Sequence, residues 1–382
     1  MRLESSPANP LRLAKGTWPT PKPPSPHLAP ATRPKARSER ERLLVVDAST
    51  GAIADRLVPE LPDLLAPGDL LVVNDAATLP AAVWVTLGSA SLELRVESLE
   101  DDAAWVIAFG AGDSSIPTEA RGAPPKLSPG DELAVAGTSQ VARVLEVDAA
   151  SPRRVRIAFE SARAALVALY ARGRPIQYAY VDRALELWDV ATSYASRPWA
   201  SELASAGRPL RWSLLGELRR RGVELARVTH AASLSSTGDP ALDAALPRAE
   251  RYRIDEDAAL AIHRAKARGG RVIAVGTSTT RALESAARAT RDGAVAAREG
   301  VSALRIGPNT ELLVVDMLLT GMHEPGTSHF ELLEAFADRP LLDAATLFAS
   351  SRGYRQHEFG DSMLIASARA GRVEFRGARS PR

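Results

Sequence analysis

The 382-residue sequence contains no cysteine, which excludes disulfides, cysteine-bound zinc, iron–sulfur clusters and thiol nucleophiles. No apolar run comes near the ~20 residues that a membrane-spanning helix needs, and the N-terminus lacks the apolar core of a signal peptide. We therefore expect a cytoplasmic protein that contacts no membrane. Aromatic residues are scarce, at 5%, and two of the six histidines lie in one short polar turn.

Net charge is only +2, but the basic residues are unevenly distributed. Residues 1–42 contain nine Lys or Arg against three Glu, together with many prolines. Proline keeps such a polar chain extended, so residues 1–41 are predicted to be a flexible, basic lead-in. Contact with nucleic-acid phosphates is the other interpretation of this charge.

Residues 82–159 differ from the rest of the chain. They contain short runs rich in β-branched residues, such as "VWVTL" and "VARVLEV", separated by Gly, Pro, Ser and Asp. Their period of two and the lack of a helical pattern predict a small antiparallel β-barrel. The flanking segments, 42–81 and 160–382, alternate apolar strands with helices. The predicted fold class is therefore α/β, with a mixed-sheet α/β main domain and an inserted small antiparallel β-barrel domain.

The segment "VIAVGTSTTRALES" (272–285) carries the sharpest local signal for a ligand. A short apolar strand ends at Gly276, and Thr277 and Ser278 open a helix. Unpaired N–H groups at a helix start bind anions, and either a carboxylate or a nucleic-acid phosphate would fit. The alternative interpretation is a helix start whose hydroxyls satisfy the backbone without any ligand.

The segment "VVDMLLTGMHEPGTSHF" (314–330) is interpreted as a strand that ends at Asp316, followed by a polar turn with Thr320 near its start. His323 in this turn is expected to titrate near neutral pH and to act as an acid, a base or a hydrogen-bond donor, while Pro325 fixes the turn. His329 is expected to face water at the start of the next helix. No HExxH pattern or paired-carboxylate spacing surrounds the histidines, so no metal is expected.

Two further segments place polar residues beside apolar strands. "VVNDA" ends a buried strand with Asn74 and Asp75, and "FGDSMLI" places Gly360 and Asp361 before a strand. Ligands of α/β folds bind at strand ends, so these residues are expected to converge on one cleft if their strands are neighbours in one sheet.

These stretches resemble the S-adenosylmethionine:tRNA ribosyltransferase-isomerase family of queuosine biosynthesis. "RVIAVGTSTTRALES" is similar almost residue for residue to the family's central motif. "LLVVNDAATLPA", "VVDMLLTGMHEPGTS" and "FGDSMLI" resemble three more family segments, and "GVELARVTHAAS" and "RAERYRI" keep the order and spacing of two others. The resemblance covers about residues 42–367 and implies an α/β domain with an inserted β-barrel.

The resemblance implies transfer and isomerisation of the ribosyl part of S-adenosylmethionine onto 7-aminomethyl-7-deazaguanine in a tRNA anticodon loop. The product would be epoxyqueuosine, with adenine and methionine released. S-adenosylmethionine would be a substrate, no metal would be needed, and the chain would be a monomer or weak oligomer. The candidate catalytic residues are His323 and Asp361. The candidate substrate-binding residues are Asn74, Asp75, His230, Glu250, Gly276, Thr277, Ser278, Arg281, Asp316, Thr320, Pro325 and Gly360.

The sequence also departs from the family pattern. Family histidines, glycines and an asparagine are replaced at Pro209, Leu234, Ala245, Arg248 and Gly321. Lost glycines close space that a ligand would use, and lost histidines remove donors. Two alternatives therefore stay open: a divergent paralogue that uses S-adenosylmethionine on another nucleoside, and a non-catalytic RNA-binding relative.

Overall fold

The computed structural model describes residues 27–36, 39–100, 102–371 and 373. In chain order its strands are β1 (Ala29–Pro30), β2 (Arg42–Asp47), β3 (Ala52–Leu57), β4 (Leu70–Asn74), β5 (Ala76–Thr78), β6 (Ala82–Leu87), β7 (Ala90–Glu100), β8 (Ala103–Phe109), β9 (Glu132–Val135), β10 (Val141–Val147), β11 (Arg154–Ala158), β12 (Arg197–Ala200), β13 (Glu224–His230), β14 (Glu250–Ile254), β15 (Val272–Val275), β16 (Arg298–Ser302), β17 (Met317–Gly321), β18 (Arg355–Gln356) and β19 (Ser362–Ala366). The helices are α1 (Leu61–Leu64), α2 (Ala162–Arg172), α3 (Trp212–Arg220), α4 (Pro240–Asp243), α5 (Glu256–Ala267), α6 (Thr277–Arg288), α7 (Ser328–Leu333) and α8 (Arg339–Ser351).

The main domain is built on a nine-stranded mixed sheet in the order β16-β14-β13-β4-β15-β17-β19-β2-β3. Its centre, β13-β4-β15-β17, is parallel, and β4 and β15 are buried along their whole length. Continuous apolar runs are typical of parallel strands that are covered on both faces. Residues of α5, α6 and α8 join the core on one face, and residues of α1 and α3 join the core on the other.

Strands β6–β11 close into a six-stranded antiparallel barrel, and the described part of residues 82–159 contains no α-helix. Alternation places Val83 and Val85 in the barrel core, whereas Trp84 between them is 39% exposed. The predicted fold class, a mixed-sheet α/β domain with a small antiparallel barrel, is confirmed.

The polar segments that were predicted at strand ends share one edge of the main sheet, because β4, β15, β17 and β19 are consecutive neighbours. The first three strands run parallel, so their carboxyl ends meet at that edge. Strand β19 runs antiparallel to β17, so its start lies at the same edge, with Gly321 opposite Ser362. This arrangement brings the turns after Val275 and Gly321 next to each other.

The prediction of a strand that ends at Asp316 is wrong, because β17 begins at Met317. The N–H groups of Leu313, Val314 and Val315 donate to the buried Glu284 carboxylate, at 2.8–3.0 Å, and are therefore not available to a ladder. Asp316 thus lies at the opposite end of β17 from the His323 turn.

Part of the segment predicted as a flexible lead-in packs against the main domain, whereas residues 1–26, 37 and 38 lie outside the described residues. Strand β1 pairs in parallel with β18, and Leu28 is buried in the main core. Lys35 is nearly buried and forms ion pairs with Asp361 and Glu41, at 2.5 and 3.4 Å. The charge of Lys35 is therefore paired with acidic side chains of the same chain. In the part of the chain that the structure describes, no helix is long and apolar enough to cross a membrane.

Candidate active site

A cavity of about 600 Å³ opens above the carboxyl ends of β15 and β17. We call it the main cavity. Its wall comes from segments far apart in the sequence, which include Tyr178, Tyr180, Glu202–Ala206, Ala232–Ser236, Asp243, Ala244, Leu246, Pro247, Glu250, Val275–Ser278, Arg281, Arg305, Ile306, Thr320–Glu324, Gly326–His329, His357 and Glu358. Its volume lies within the range of small-molecule sites, roughly 300–1,000 Å³.

The start of helix α6 forms one side of the main cavity. Gly276 caps the helix with φ of +93°, and no side chain caps it. The hydroxyls of Thr279 and Thr280 donate back to carbonyl oxygens of the preceding turn, at 2.7 and 3.2 Å, and do not cap the helix. The Gly276 N–H donates to the Leu319 carbonyl oxygen at 2.8 Å, so Thr277 and Ser278 are the residues that face the cavity with uncapped helix-start N–H groups, which suits a carboxylate or a phosphate.

His323 lies in the main cavity, as does His329. The His323 Nε2 atom is 2.7 Å from the Thr320 hydroxyl, and the two imidazole rings stack with centroids 5.1 Å apart. The expectation that His329 faces water is therefore wrong, because its ring covers His323. Burial, reinforced by the neighbouring His329 and His357, holds the pKa of His323 well below its ordinary value. This direction is contrary to the expectation of a near-neutral pKa and favours the uncharged imidazole at neutral pH.

Asn74 and Asp75 do not line the main cavity. The Asn74 side chain exchanges two hydrogen bonds with the backbone of His230, at 2.9 and 3.0 Å, and joins β4 to β13. Asp75 accepts from the hydroxyls of Thr229 and Ser196, at 2.5 and 2.7 Å, and faces a separate cavity of about 670 Å³. Both side chains are buried and hydrogen-bonded, so their contacts are structural.

Glu250 and Arg281 line the main cavity as an ion pair. Three further N–H groups of Arg281 donate to backbone carbonyl oxygens at 2.8–3.1 Å, so most of its guanidinium is engaged within the protein. His230 lies behind this pair, fully buried, with its Nε2 3.4 Å from a Glu250 oxygen. Burial lowers the pKa of His230 to about 4, against the charge of Glu250 that favours protonation.

Three other predicted residues lie away from the main cavity wall. Asp316 accepts from the Val272 N–H and from Lys266, at 2.8 and 2.7 Å, at the far end of the sheet. Pro325 lies in the turn before α7. Asp361 lines a small adjoining cavity of about 10 Å³ and has both carboxylate oxygens occupied, one by Lys35 and the other by the Arg355 N–H at 2.8 Å.

Gly360 supports the turn that holds Asp361 and does not offer space to a ligand. A Cβ atom at this position would lie 2.5 Å from the Arg355 carbonyl oxygen, so the close approach of two backbone segments requires glycine. At Gly321 the opposite is found, because an added Cβ atom would meet nothing within 4 Å. The replacement at Gly321 therefore enlarges the main cavity.

Sequence reasoning missed one whole side of the main cavity. It consists of Tyr178, Tyr180, Glu202, His357 and Glu358, which we call the tyrosine–carboxylate wall. The available signal was "QYAY" (177–180), because residues two apart in an extended segment project to the same side. Glu202 gave no signal, since it follows a short strand in a stretch without periodicity.

Of the other replaced family positions, Leu234 lines the main cavity and Pro209 lines the small adjoining cavity. Ala245 lies just beyond α4, between wall residues of the main cavity. Arg248 forms an ion pair with Glu97 of the barrel, 2.6 Å away. Among the described residues, no group of three or more His, Cys, Asp or Glu side chains is arranged to hold a metal ion.

Comparisons with known proteins agree with the resemblance of the motifs. The model of the queuosine biosynthesis protein family matches residues 25–365. A protein from Acidithiobacillus ferrooxidans named S-adenosylmethionine:tRNA ribosyltransferase-isomerase is 35% identical over 351 residues, which cover 90% of this chain and 95% of that protein. A protein of the same name from Acidiphilium cryptum is 31% identical over 358 residues, which cover 90% and 98%.

A crystal structure of the S-adenosylmethionine tRNA ribosyltransferase from Thermotoga maritima is 25% identical to this chain. The match covers 89% of this chain and 98% of that chain, with a TM-score of 0.48. The family match and the two relatives each span most of the chain, including the barrel and the main cavity. This chain therefore belongs to the queuosine biosynthesis protein family.

Proposed function

We propose that this protein transfers and isomerises the ribosyl moiety of S-adenosylmethionine onto 7-aminomethyl-7-deazaguanine in a tRNA anticodon loop. The products would be epoxyqueuosine in the tRNA, free adenine and free methionine. The observation that carries the proposal is the convergence of two family-like turns, Gly276–Ser278 and Thr320–His323, on one cavity large enough for S-adenosylmethionine.

The two turns suit two parts of this substrate. The uncapped start of α6 is placed to bind the methionine carboxylate, because helix-start N–H groups favour an anion. The sulfonium acidifies the adjacent ribose carbon, and an uncharged imidazole can accept the proton that leaves it. His323 supplies such an imidazole, and the Thr320 hydroxyl holds its Nε2 side.

The candidate catalytic role of Asp361 loses support from its contacts. One of its carboxylate oxygens accepts from Lys35 and the other from the Arg355 N–H, and the residue does not line the main cavity. We propose instead that Asp361 positions the turn between β18 and β19.

The test is incubation of the protein with S-adenosylmethionine and a tRNA that carries the aminomethyl base, followed by mass spectrometry of the nucleosides. The expected result is epoxyqueuosine, with adenine and methionine released in equal amounts. An unmodified tRNA that lacks the aminomethyl group is the matched control and should release neither. Absence of all three products would overturn the proposal.

A second candidate is the use of S-adenosylmethionine on a different nucleoside. The observation that favours it is the altered cavity wall, where Gly321 leaves open space and Leu234 adds an apolar side chain in place of a family residue. Adenine release with total cellular RNA, combined with no product from the aminomethyl tRNA, would favour this candidate over the first.

A further inference from the structure

The tyrosine–carboxylate wall is an ordered array of rings and acids. The ring of Tyr180 stacks on His357, with centroids 4.4 Å apart, and on Tyr178, 6.0 Å away. The Tyr178 hydroxyl donates to Glu202, and the Tyr180 hydroxyl donates to Glu358. Each carboxylate is therefore held by a phenol that is itself held in a stack, so the wall is organised without any ligand.

The two oxygens of Glu202 differ. Oε1 accepts from both the Tyr178 hydroxyl and the Ser235 N–H, the latter at 3.1 Å. In the described part of the chain no hydrogen bond reaches Oε2. Two donors thus fix the carboxyl group through one oxygen and leave the other for a ligand in the main cavity.

The carboxylates of this wall have no ion-pair partner among the described residues, although the Arg95 guanidinium, which pairs with Glu93, lies over the Tyr178 ring 5.6 Å from its centroid. Neither Glu202 nor Glu358 forms an ion pair with a cationic side chain of the described residues. The two arginines of the main cavity are bound to other acids, Arg281 to Glu250 and Arg305 to Glu331. Two carboxylates beside aromatic faces attract a cation, and a primary ammonium group can also donate hydrogen bonds to them.

We propose that the tyrosine–carboxylate wall binds the protonated aminomethyl group of the RNA base and that Glu202 Oε2 accepts a proton from it. This inference rests on the proposed function, since it names the group that the wall would hold in that reaction. In the step, an N–H bond breaks, an O–H bond forms on Glu202, and the electron pair stays on nitrogen. The neutral amine is then a nucleophile, and the Glu202 proton returns to solvent after turnover.

The protonation of Glu202 suits a base that works near neutral pH. Burial raises the pKa of Glu202 to about 7, and the negative Glu358 adds to this, against the hydrogen bonds from Tyr178 and Ser235. A carboxylate with an ordinary pKa would be a much weaker acceptor for an ammonium proton, because the proton-transfer driving force falls as the two pKa values separate. A phenol is a poor substitute for the base, since burial raises the pKa of Tyr178 well above its usual range.

The first experiment measures binding without turnover. Two otherwise identical anticodon stem-loop RNAs carry either the 7-aminomethyl base or a neutral 7-methyl-7-deazaguanine. Wild-type protein should prefer the aminomethyl RNA by about tenfold or more, the usual effect of a charge-assisted hydrogen bond. Glu202→Gln should lose that preference and keep its melting temperature. Glu132→Gln, an exposed barrel acid paired with Arg143, is the matched control and should keep the preference.

Equal binding of the two RNAs by wild type, or an unchanged preference in Glu202→Gln, would overturn the inference. This readout does not need catalysis. A wild-type protein that shows the preference but forms no product would therefore refute the proposed function and leave the ligand of the wall established.

The second experiment follows kcat/KM for the RNA against pH. Wild-type activity should rise through an inflection near 7 as Glu202 ionises, and Glu202→Gln should lose this inflection together with about a hundredfold or more in rate. Glu358→Gln should move the inflection to lower pH, because a negative neighbour is removed. Tyr178→Phe should move it to higher pH, because a hydrogen bond to the carboxylate is lost. An inflection whose pH is the same in both variants as in the wild type would contradict the role of Glu202 as the base.

Discussion

Replacement of His323 by alanine tests the proposed chemistry most directly. The imidazole lies in the main cavity, with Nε2 2.7 Å from the Thr320 hydroxyl and its ring stacked on His329. A positioned general base typically contributes ~10²–10⁴ in rate, or roughly 3–5 kcal/mol of barrier. His323→Ala should therefore lower single-turnover release of adenine by at least a hundredfold.

The same substitution should have little effect on stability. The His323 side chain is only partly buried and makes one side-chain hydrogen bond, whose net contribution is about 1 kcal/mol. In a protein of this size that loss corresponds to a shift in melting temperature of about 2–4 °C or less. A large loss of rate with a small thermal shift is the signature of a chemical role.

Two histidine variants serve as comparisons. His263→Ala removes an exposed histidine of α5 and should change neither rate nor stability much. His329→Ala should not abolish turnover, but it should raise the pKa of His323, because the neighbouring ring lowers that pKa. The lower of the two inflections on the acid side of the activity profile, which belongs to His323, should then move to higher pH. Equal small effects for His323→Ala and His263→Ala, or a rate loss fully explained by unfolding, would refute the assignment.

The remaining predictions concern stability. The free energy of unfolding should fall by roughly 3 kcal/mol as the pH drops from 6.5 to about 4, because His230 takes up a proton in the unfolded state but not in the folded state. Urea titrations of His230→Gln should show a smaller change of this free energy with pH. Gly321→Asn should change the free energy of unfolding by less than ~0.5 kcal/mol, because the added Cβ atom enters open space. Gly360→Ala should clearly destabilise the protein, because the added Cβ atom would lie 2.5 Å from a carbonyl oxygen. Equal melting temperatures of the two variants would contradict this. Lys35→Ala should lower the free energy of unfolding by roughly 3 kcal/mol, because it leaves a buried carboxylate unpaired. The double variant Lys35→Ala/Asp361→Asn should recover part of this loss in denaturant unfolding, and no recovery would argue against the ion pair.

The sequence by itself determined the layer architecture and the barrel. Runs such as Leu70–Asn74 and Val272–Val275 are apolar throughout because both faces of a central parallel strand are covered. Barrel strands β9, β10 and β11 alternate because only one of their faces is buried. The turn at Gly276 was also predictable, since a glycine between an apolar strand and hydroxyl residues marks a helix start that can bind an anion.

The tertiary structure alone decided which polar residues meet a ligand. Asn74 and Asp361 occupy the predicted edge of the sheet, but neighbours distant in sequence, His230 and Lys35, take up their hydrogen bonds. Periodicity cannot reveal such partners, because a side chain is free or engaged according to what packs beside it. For the same reason the protonation of His323 and Glu202 followed from burial and neighbouring charges that form only when separate segments of the chain enclose one cavity.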